Sequence, residues 1–283
     1  MRIRQAGRPG QSLSAGADGC SSRAILSPRI TALAGAPNPS IVLEFAVMTD
    51  YPRIEEQLMT GVGLEHRPVA VTFLPEAPAG VENFNGTLAS GCSFWKLAST
   101  GRTFYTVAAD HYNCPIGSHT HNIALPPERA RELDDTLAFM KDIGYLRLEE
   151  VPRIPRLPET PGVVVYAALG QTPVDPDVVL FWGPPGKVML FQEAAIRAEV
   201  AGQLTTLARP TCMILPAALS YGTVASTGCI GNRVYTELDE TELYVAVPGR
   251  DLARVANAVS VVASANAALL DYHHERKQQL TRA

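Results

Sequence analysis

Short apolar runs closed by proline or by charged turns constrain this chain most. Val69-Ala-Val-Thr-Phe-Leu74 stops at Pro75 and Pro78. Val163-Val-Val-Tyr-Ala-Ala168 follows a proline-studded stretch, and Val178-Val-Leu-Phe-Trp182 stops at Pro184 and Pro185. Thr103 to Ala108 and Glu242 to Val247 are the other two runs. Each is too short for a core helix and rich in β-branched or aromatic residues, so each reads as a strand. Helical patterns separate them. Ile54, Leu58, Met59 and Val62 follow Pro52 at helical spacing, and a short helix starts near Ser90. Pro126 opens a helix to about Lys141, Pro185 to Ala201 is amphipathic, and Gly249 to Leu270 is a long Ala/Val-rich helix. Strands interleaved with helices predict an α/β (α+β) fold with mixed sheets and flanking helices.

Residues 1–47 differ from the rest. Arg2, Arg4 and Arg8 precede a Gly/Ser/Ala/Pro mixture without amphipathic period, and no apolar core of signal-peptide length follows. This segment reads as disordered or over-extended, which leaves Cys20 outside any site. The remainder divides into a first α/β half at 48–150, a Pro-rich linker at 151–162 and a second half at 163–283, with 48–275 as one compact domain the alternative. The halves echo each other: Val69 to Leu74 and Val178 to Trp182 both run into prolines. Thr87 to Cys92 resembles Thr223 to Cys229, Arg102 to Thr106 resembles Arg233 to Thr236, and Leu125-Pro-Pro resembles Val247-Pro-Gly. A duplication would set two pseudo-repeated halves about a pseudo-twofold axis, with a site at their interface.

The chemistry rests on four cysteines. They stand in Gly91-Cys92-Ser-Phe-Trp95, Asn113-Cys114-Pro-Ile-Gly117, Thr211-Cys212-Met213 and Gly228-Cys229-Ile-Gly-Asn-Arg233. Thiols beside glycine and proline suit ligation on loops better than core packing, although Cys212 in an apolar helix also suits plain burial. Five cysteines in 283 residues do not make a disulfide scaffold. A cytoplasmic, reducing setting is therefore expected, where such thiols bind metals or react. No C-x2-C occurs, which excludes zinc-ribbon and ferredoxin spacing. Three thiolates would hold a 4Fe-4S cubane with one iron open to substrate, and four would close it. Zinc is the alternative ion.

His119 and His121 follow Cys114, and His111 precedes it. In an extended segment His119 and His121 would point to opposite faces, against joint ligation. His119 remains a candidate proton donor. Arg233 is a candidate anchor for a carboxylate or for cluster charge, or a loop arginine paired with Glu237 or Asp239. Trp95 and Tyr105 complete the expected pocket. Gly183-Pro-Pro-Gly-Lys187 lacks phosphate-loop spacing. A net charge of −4 gives no nucleic-acid footprint, and no apolar run of membrane length is evident.

The segments at 91–95, 114–117, 228–233 and Glu242-Leu-Tyr-Val-Ala-Val-Pro248 resemble domain-of-unknown-function family 169, over roughly residues 52–272. The resemblance implies recurrent cysteine positions at Cys92, Cys114, Cys212 and Cys229 and no settled activity. The expected function is iron–sulfur binding, with redox or cluster-assisted chemistry on a small molecule by an oxidoreductase or lyase. A zinc- or thiol-dependent enzyme is the second reading, and a non-catalytic metal- or redox-sensing module the third. A small-molecule substrate or an electron-transfer protein is the expected partner, and a homo-oligomer fits all three.

Overall fold

Strand propensity, proline punctuation and helix caps produce a seven-stranded sheet covered on both faces. The computed structural model describes residues 49–200, 206–207 and 209–281. The expectations for residues 1–47, Cys20 included, lie outside the described residues. Pro52 starts α1 (Tyr51–Val62), with the Asp50 side chain accepting from the Arg53 amide and Gly63 closing the helix in a left-handed conformation. Then come β1 (Val69–Leu74), α2 (Ser93–Ser99), β2 (Phe104–Thr106), α3 (Pro115–Thr120) and α4 (Arg131–Asp142). A 3-10 turn at Leu148–Arg153 begins the Pro-rich stretch, which leads to β3 (Val163–Ala168). The chain continues through β4 (Val178–Gly183), α5 (Pro185–Arg197), β5 (Thr206–Leu207), α6 (Ile214–Tyr221) and β6 (Val224–Ser226). It ends with α7 (Ile230–Thr236), β7 (Leu243–Pro248) and α8 (Gly249–Thr281).

The sheet order is β2-β3-β1-β4-β7-β6-β5. Six strands pair antiparallel, and β5 adds a parallel edge to β6. The expected α/β class with flanking helices is therefore correct. Period-two alternation sends successive residues of a strand to opposite faces. Ala70, Val179, Phe181, Val245 and Val247 meet α1, α5 and α8 on one face. Val69, Val71, Tyr166, Val178, Leu180 and Tyr244 meet Phe94, Trp95, Ile214 and Leu215 of α2 and α6 on the other. Cys92 and Cys212 belong to this second layer.

The halves repeat in register. β1 and β4 lie antiparallel at the centre, Ala70 opposite Val179. Ala70 also faces Ala167 of β3, and Val179 faces Val247 of β7, which makes Ala167 and Val247 equivalent. One residue earlier, Tyr166 faces Phe104 of β2 and Ala246 faces Val224 of β6. The three-strand ladders coincide with no slip. Beyond the strand ends the correspondence persists: Leu169 N–H donates to Pro68 C=O at 2.8 Å, and Gly249 N–H donates to Asp177 C=O at 2.8 Å. The seam of the repeat thus lies between β3 and β4, because β3 pairs with β1 and β2 and not with the second half.

The register also corrects three of the sequence echoes. Cys92 precedes Phe104 by the same twelve positions that separate Cys212 from Val224, so Cys92 corresponds to Cys212 and not to Cys229. Arg233 to Thr236 is helical and has no likeness to β2. Leu125-Pro-Pro is a connector, whereas Val247-Pro-Gly ends a strand. The helix expected to end near Leu270 instead continues as α8 to Thr281. By length and composition α8 suffices to cross a membrane, which the sequence reading did not anticipate, and 33% of its most apolar stretch is buried in the fold.

Candidate functional site

Each cysteine is set at or just before the start of a helix. Cys92 is the cap of α2, and its N–H donates to Ser90 Oγ at 3.1 Å. Cys212 lies in a 3-10 turn, Thr211–Met213, that runs into α6. Cys114 caps α3, where Pro115 takes the first helical position, and Cys229 caps α7. The segments around Cys114 and Cys229, read as a loop and a turn, are thus helix starts; the proline that suggested a loop is a residue favoured at a first helical turn.

Two contacts join these elements, the first within the second half and the second across the repeat. Cys229 N–H donates to Thr211 Oγ1 at 2.5 Å, and Ser93 Oγ donates to Tyr235 C=O at 3.5 Å. The Cys212 thiol lies 3.9 Å from Ile116 C=O. All four cysteines are free thiols and all four line one cavity of about 660 Å³. Cys92 and Cys212 are buried, whereas Cys114 and Cys229 are half-buried. The equivalent pair, Cys92 and Cys212, thus lies in the interior, whereas Cys114 and Cys229 lie nearer solvent at different distances along the chain from the ladder.

Burial pushes the Cys92, Cys114 and Cys212 thiols above the ordinary cysteine value, and negative charge on neighbouring cysteines pushes all three further. Glycine amides oppose this at Cys114, where Gly91 and Gly117 approach the sulfur. A Cβ built on Gly117 would lie 2.8 Å from Cys114 Sγ. Glycine at 117 is what lets the thiol lie against the first turn of α3. Gly228, at φ +75, makes the corresponding turn before Cys229. Among the described residues, no three His, Cys, Asp or Glu side chains meet closely enough to hold one metal ion.

The histidines form a separate cluster. His111 and His121 are both buried, with ring centroids 5.4 Å apart. His111 Nε2 is 2.8 Å from Thr106 Oγ1. Burial and the neighbouring His121 push its pKa down to about 3. His121 Nδ1 donates to Gly117 C=O at 2.9 Å, and burial lowers its pKa also. Burial and then Arg156 lower that of His119, whose Nε2 is buried without a hydrogen-bond partner. None of the three lines the cavity.

Arg233 is likewise outside the lining. Its guanidinium donates to the carbonyls of Asp239 at 2.6 Å, Glu242 at 2.9 Å and Thr227. The arginine fastens the loop between α7 and β7 through backbone groups, rather than through the side chains of Glu237 or Asp239. Trp95 and Tyr105 do not line the cavity either; Trp95 is buried against Tyr244, with ring centroids 5.6 Å apart.

Sequence reasoning passed over two residues beside the thiols. Asn232 is buried, lines the cavity and reaches toward Cys92, which its hydrogen bond favours in the charged form. Its Oδ1 has no other partner. Tyr166 is fully buried with an unpartnered hydroxyl, in the charge field of Cys92, Cys114 and Cys212. Signals for both were present: the asparagine between Gly231 and Arg233, and the lone polar tip in an otherwise apolar strand. The wall contributed by α4 and the turn after it was also missed. It places Leu137, Met140, Ile143 and Tyr145 on the cavity.

Fold and site together define a pseudo-symmetric α/β protein with a four-thiol cavity. The chain belongs to domain-of-unknown-function family 169 (DUF169, Uncharacterised ArCR), whose model matches residues 57–258. The match contains all four cysteines. No curated protein and no solved structure matches the chain.

Proposed function

We propose that this protein binds an iron–sulfur cluster through Cys92, Cys114, Cys212 and Cys229 and uses it in redox or cluster-assisted chemistry on a small molecule. The observation that carries this reading is the convergence of four unbridged thiols on one cavity. Thiolate ligands to one zinc ion lie about 2.3 Å from it, which requires a tight cluster. Among the described residues no three ligating side chains meet closely enough for one ion, whereas the ligands of a polynuclear centre bind different metals of one cage.

The electrostatics support a cationic guest. Burial and mutual repulsion disfavour thiolates at Cys92, Cys114 and Cys212, so these three thiols hold their protons until a metal compensates the charge. The same burial disfavours Cys92, Cys114 or Cys212 as an uncomplexed nucleophile, since the thiolate is the reactive form. Asn232 stands ready to donate to Cys92 sulfur through its amide, and Tyr166 to donate through its hydroxyl. Such donors to ligand sulfur stabilise the reduced, more negative cluster. When bound through all four thiolates the cluster would supply an electron reservoir, and with only three ligating it would also offer a Lewis-acidic iron.

The test is the iron, zinc and acid-labile sulfide content of protein purified without oxygen, with its visible spectrum. Iron and sulfide in near-equal amounts, with broad absorption that bleaches on reduction, is the expected result. Stoichiometric zinc without sulfide would replace the cluster by a zinc site, and a metal-free, colourless protein would remove the proposal.

A further inference from the structure

We infer that the cavity binds a small-molecule carboxylate with an apolar body, seated between the thiols and α4. This deepens the proposed function and rests on it for the role of that molecule.

The thiols occupy only part of the lining. A volume of about 660 Å³ lies within the roughly 300–1,000 Å³ of small-molecule sites. Another part of the lining is α4, which keeps no residue buried although its sequence is amphipathic. Thr136, Leu137, Met140 and Ile143 recur at helical spacing and all line the cavity. A helix in a folded protein is held chiefly by burying its apolar face. The face of α4 meets the cavity instead of a core, so an apolar occupant completes its packing. Apolar side chains gather at the same mouth from both sides: Phe139 is 62% and Ile143 60% exposed, and across from them Ile230 of α7 is 66% exposed. Such clustering, unlike scattered exposure, marks a binding surface.

Charge selects the head group. The charged residues on the lining are Glu150, Arg153 and Arg209. Glu150 is taken up by Arg147 at 3.0 Å and Arg209 at 3.1 Å. Arg209 also lies 4.9 Å from the centre of the Tyr145 ring. Arg153 has no acidic partner within ion-pair distance among the described residues. One surplus guanidinium at the mouth of an apolar cavity fits a carboxylate, which arginine grips through paired N–H donors.

The experiment uses the full chain, purified without oxygen, and two fluorescent probes: cis-parinaric acid and its methyl ester. The acid should bind saturably and at least tenfold more tightly than the ester. Arg153→Gln should remove most of that preference and leave the ester unchanged. Met140→Asp should weaken both probes at least tenfold. Arg153 is exposed and Met140 half-exposed, so circular dichroism should show both variants folded. Arg153→Gln alone decides the head group should Met140→Asp fail to fold. The inference is overturned if neither probe saturates, or if the ester equals the acid in the parent protein. Iron and sulfide are assayed on the same samples. Arginine-dependent binding to iron-free protein keeps this inference and removes the cluster. Cluster-loaded protein that binds neither probe does the reverse.

Discussion

The two halves of the sheet share one ladder register and differ in what their connectors carry. Between β2 and β3 the first half runs through residues 107–162, with α3, α4 and the buried histidines. Between β6 and β7 the second half runs through 227–242, with α7 alone. The asymmetry reverses on the way out of the central strands. The chain from β4 to Cys212 includes α5, which covers the opposite face of the sheet, whereas the chain from β1 to Cys92 includes no described helix. The repeated part supplies Cys92 and Cys212 as an equivalent pair, and the two unlike connectors supply Cys114 and Cys229. The divergent parts also supply the apolar wall, the arginines and the back layer. Ligation is therefore expected to draw on both, and selectivity for a guest on the divergent parts.

Substituting the half-buried pair tests this division most strongly. Cys114→Ser and Cys229→Ser should each lower bound iron and sulfide at least tenfold, and by similar amounts, while the protein stays folded. Full retention of iron in one variant would show that the two half-buried cysteines do not share a role. The interior layer should come next. Trp95 of α2 and Leu215 of α6 hold equivalent positions and are 1% and 0% exposed. Trp95→Ala should cost about 3–5 kcal/mol and Leu215→Ala about 2–5 kcal/mol in urea unfolding. A cost below about 1 kcal/mol at either would mean that its half can relax around the cavity left behind.

How much of this was legible follows from the length of chain each feature needs. The strand runs carry their own signal, because five or six β-branched and aromatic residues between prolines leave few alternatives. The repeat itself was visible at Val69 and Val178, yet its register was not. Aligning Cys92 with Cys229 by their common Ala-Ser and glycine matched a loop to a strand. Only the hydrogen-bond ladder, through Phe104 and Val224, fixes Cys212 as the partner. The helical starts at Cys114 and Cys229 escaped because helices of six and seven residues are too short to show a period. Arg233 was recognised as a loop arginine or an anchor, but its partners are carbonyls, which no side-chain pattern announces. The wall formed by α4 was recognised as a helix. That its apolar face meets a cavity and not a core is a property of tertiary placement.

Acid should separate the halves by a smaller amount. His111 binds a proton near pH 6.5 when unfolded, but in the folded protein only near about 3. Between those values the unfolded chain holds the extra proton, so stability falls as pH falls, by about 1.4 kcal/mol per unit for this residue. Burial lowers the pKa of His121 in the same direction. The connector at 227–242 contains no histidine. Hydrogen exchange at pH 5 against pH 7 should therefore show protection lost first around α3 and β2, with β6 and α7 less affected. His111→Gln should reduce the extra loss at pH 5 by about 2 kcal/mol. Equal loss in both halves would place the acid sensitivity elsewhere.

The smallest change in stability should come from Gly117→Ala, and it isolates one difference between the two half-buried cysteine caps. Three residues after Cys114 stands Gly117, and three residues after Cys229 stands Asn232. At α7 this position carries a side chain toward Cys92; at α3 it carries none, and Cys114 Sγ takes the space. Alanine at 117 gains about 0.5–1 kcal/mol of helix propensity. It also sets a methyl 2.8 Å from the Cys114 sulfur. The sulfur is the free end of a rotatable side chain, so it can turn aside, at an off-rotamer cost of about 0.5–1.5 kcal/mol. The two effects nearly cancel, and the unfolding midpoint should move little. The displaced sulfur no longer faces its three counterparts, so bound iron should fall severalfold in a protein as stable as its parent. Unchanged iron with unchanged stability would mean that the cluster does not need Cys114 in the position the first turn of α3 gives it.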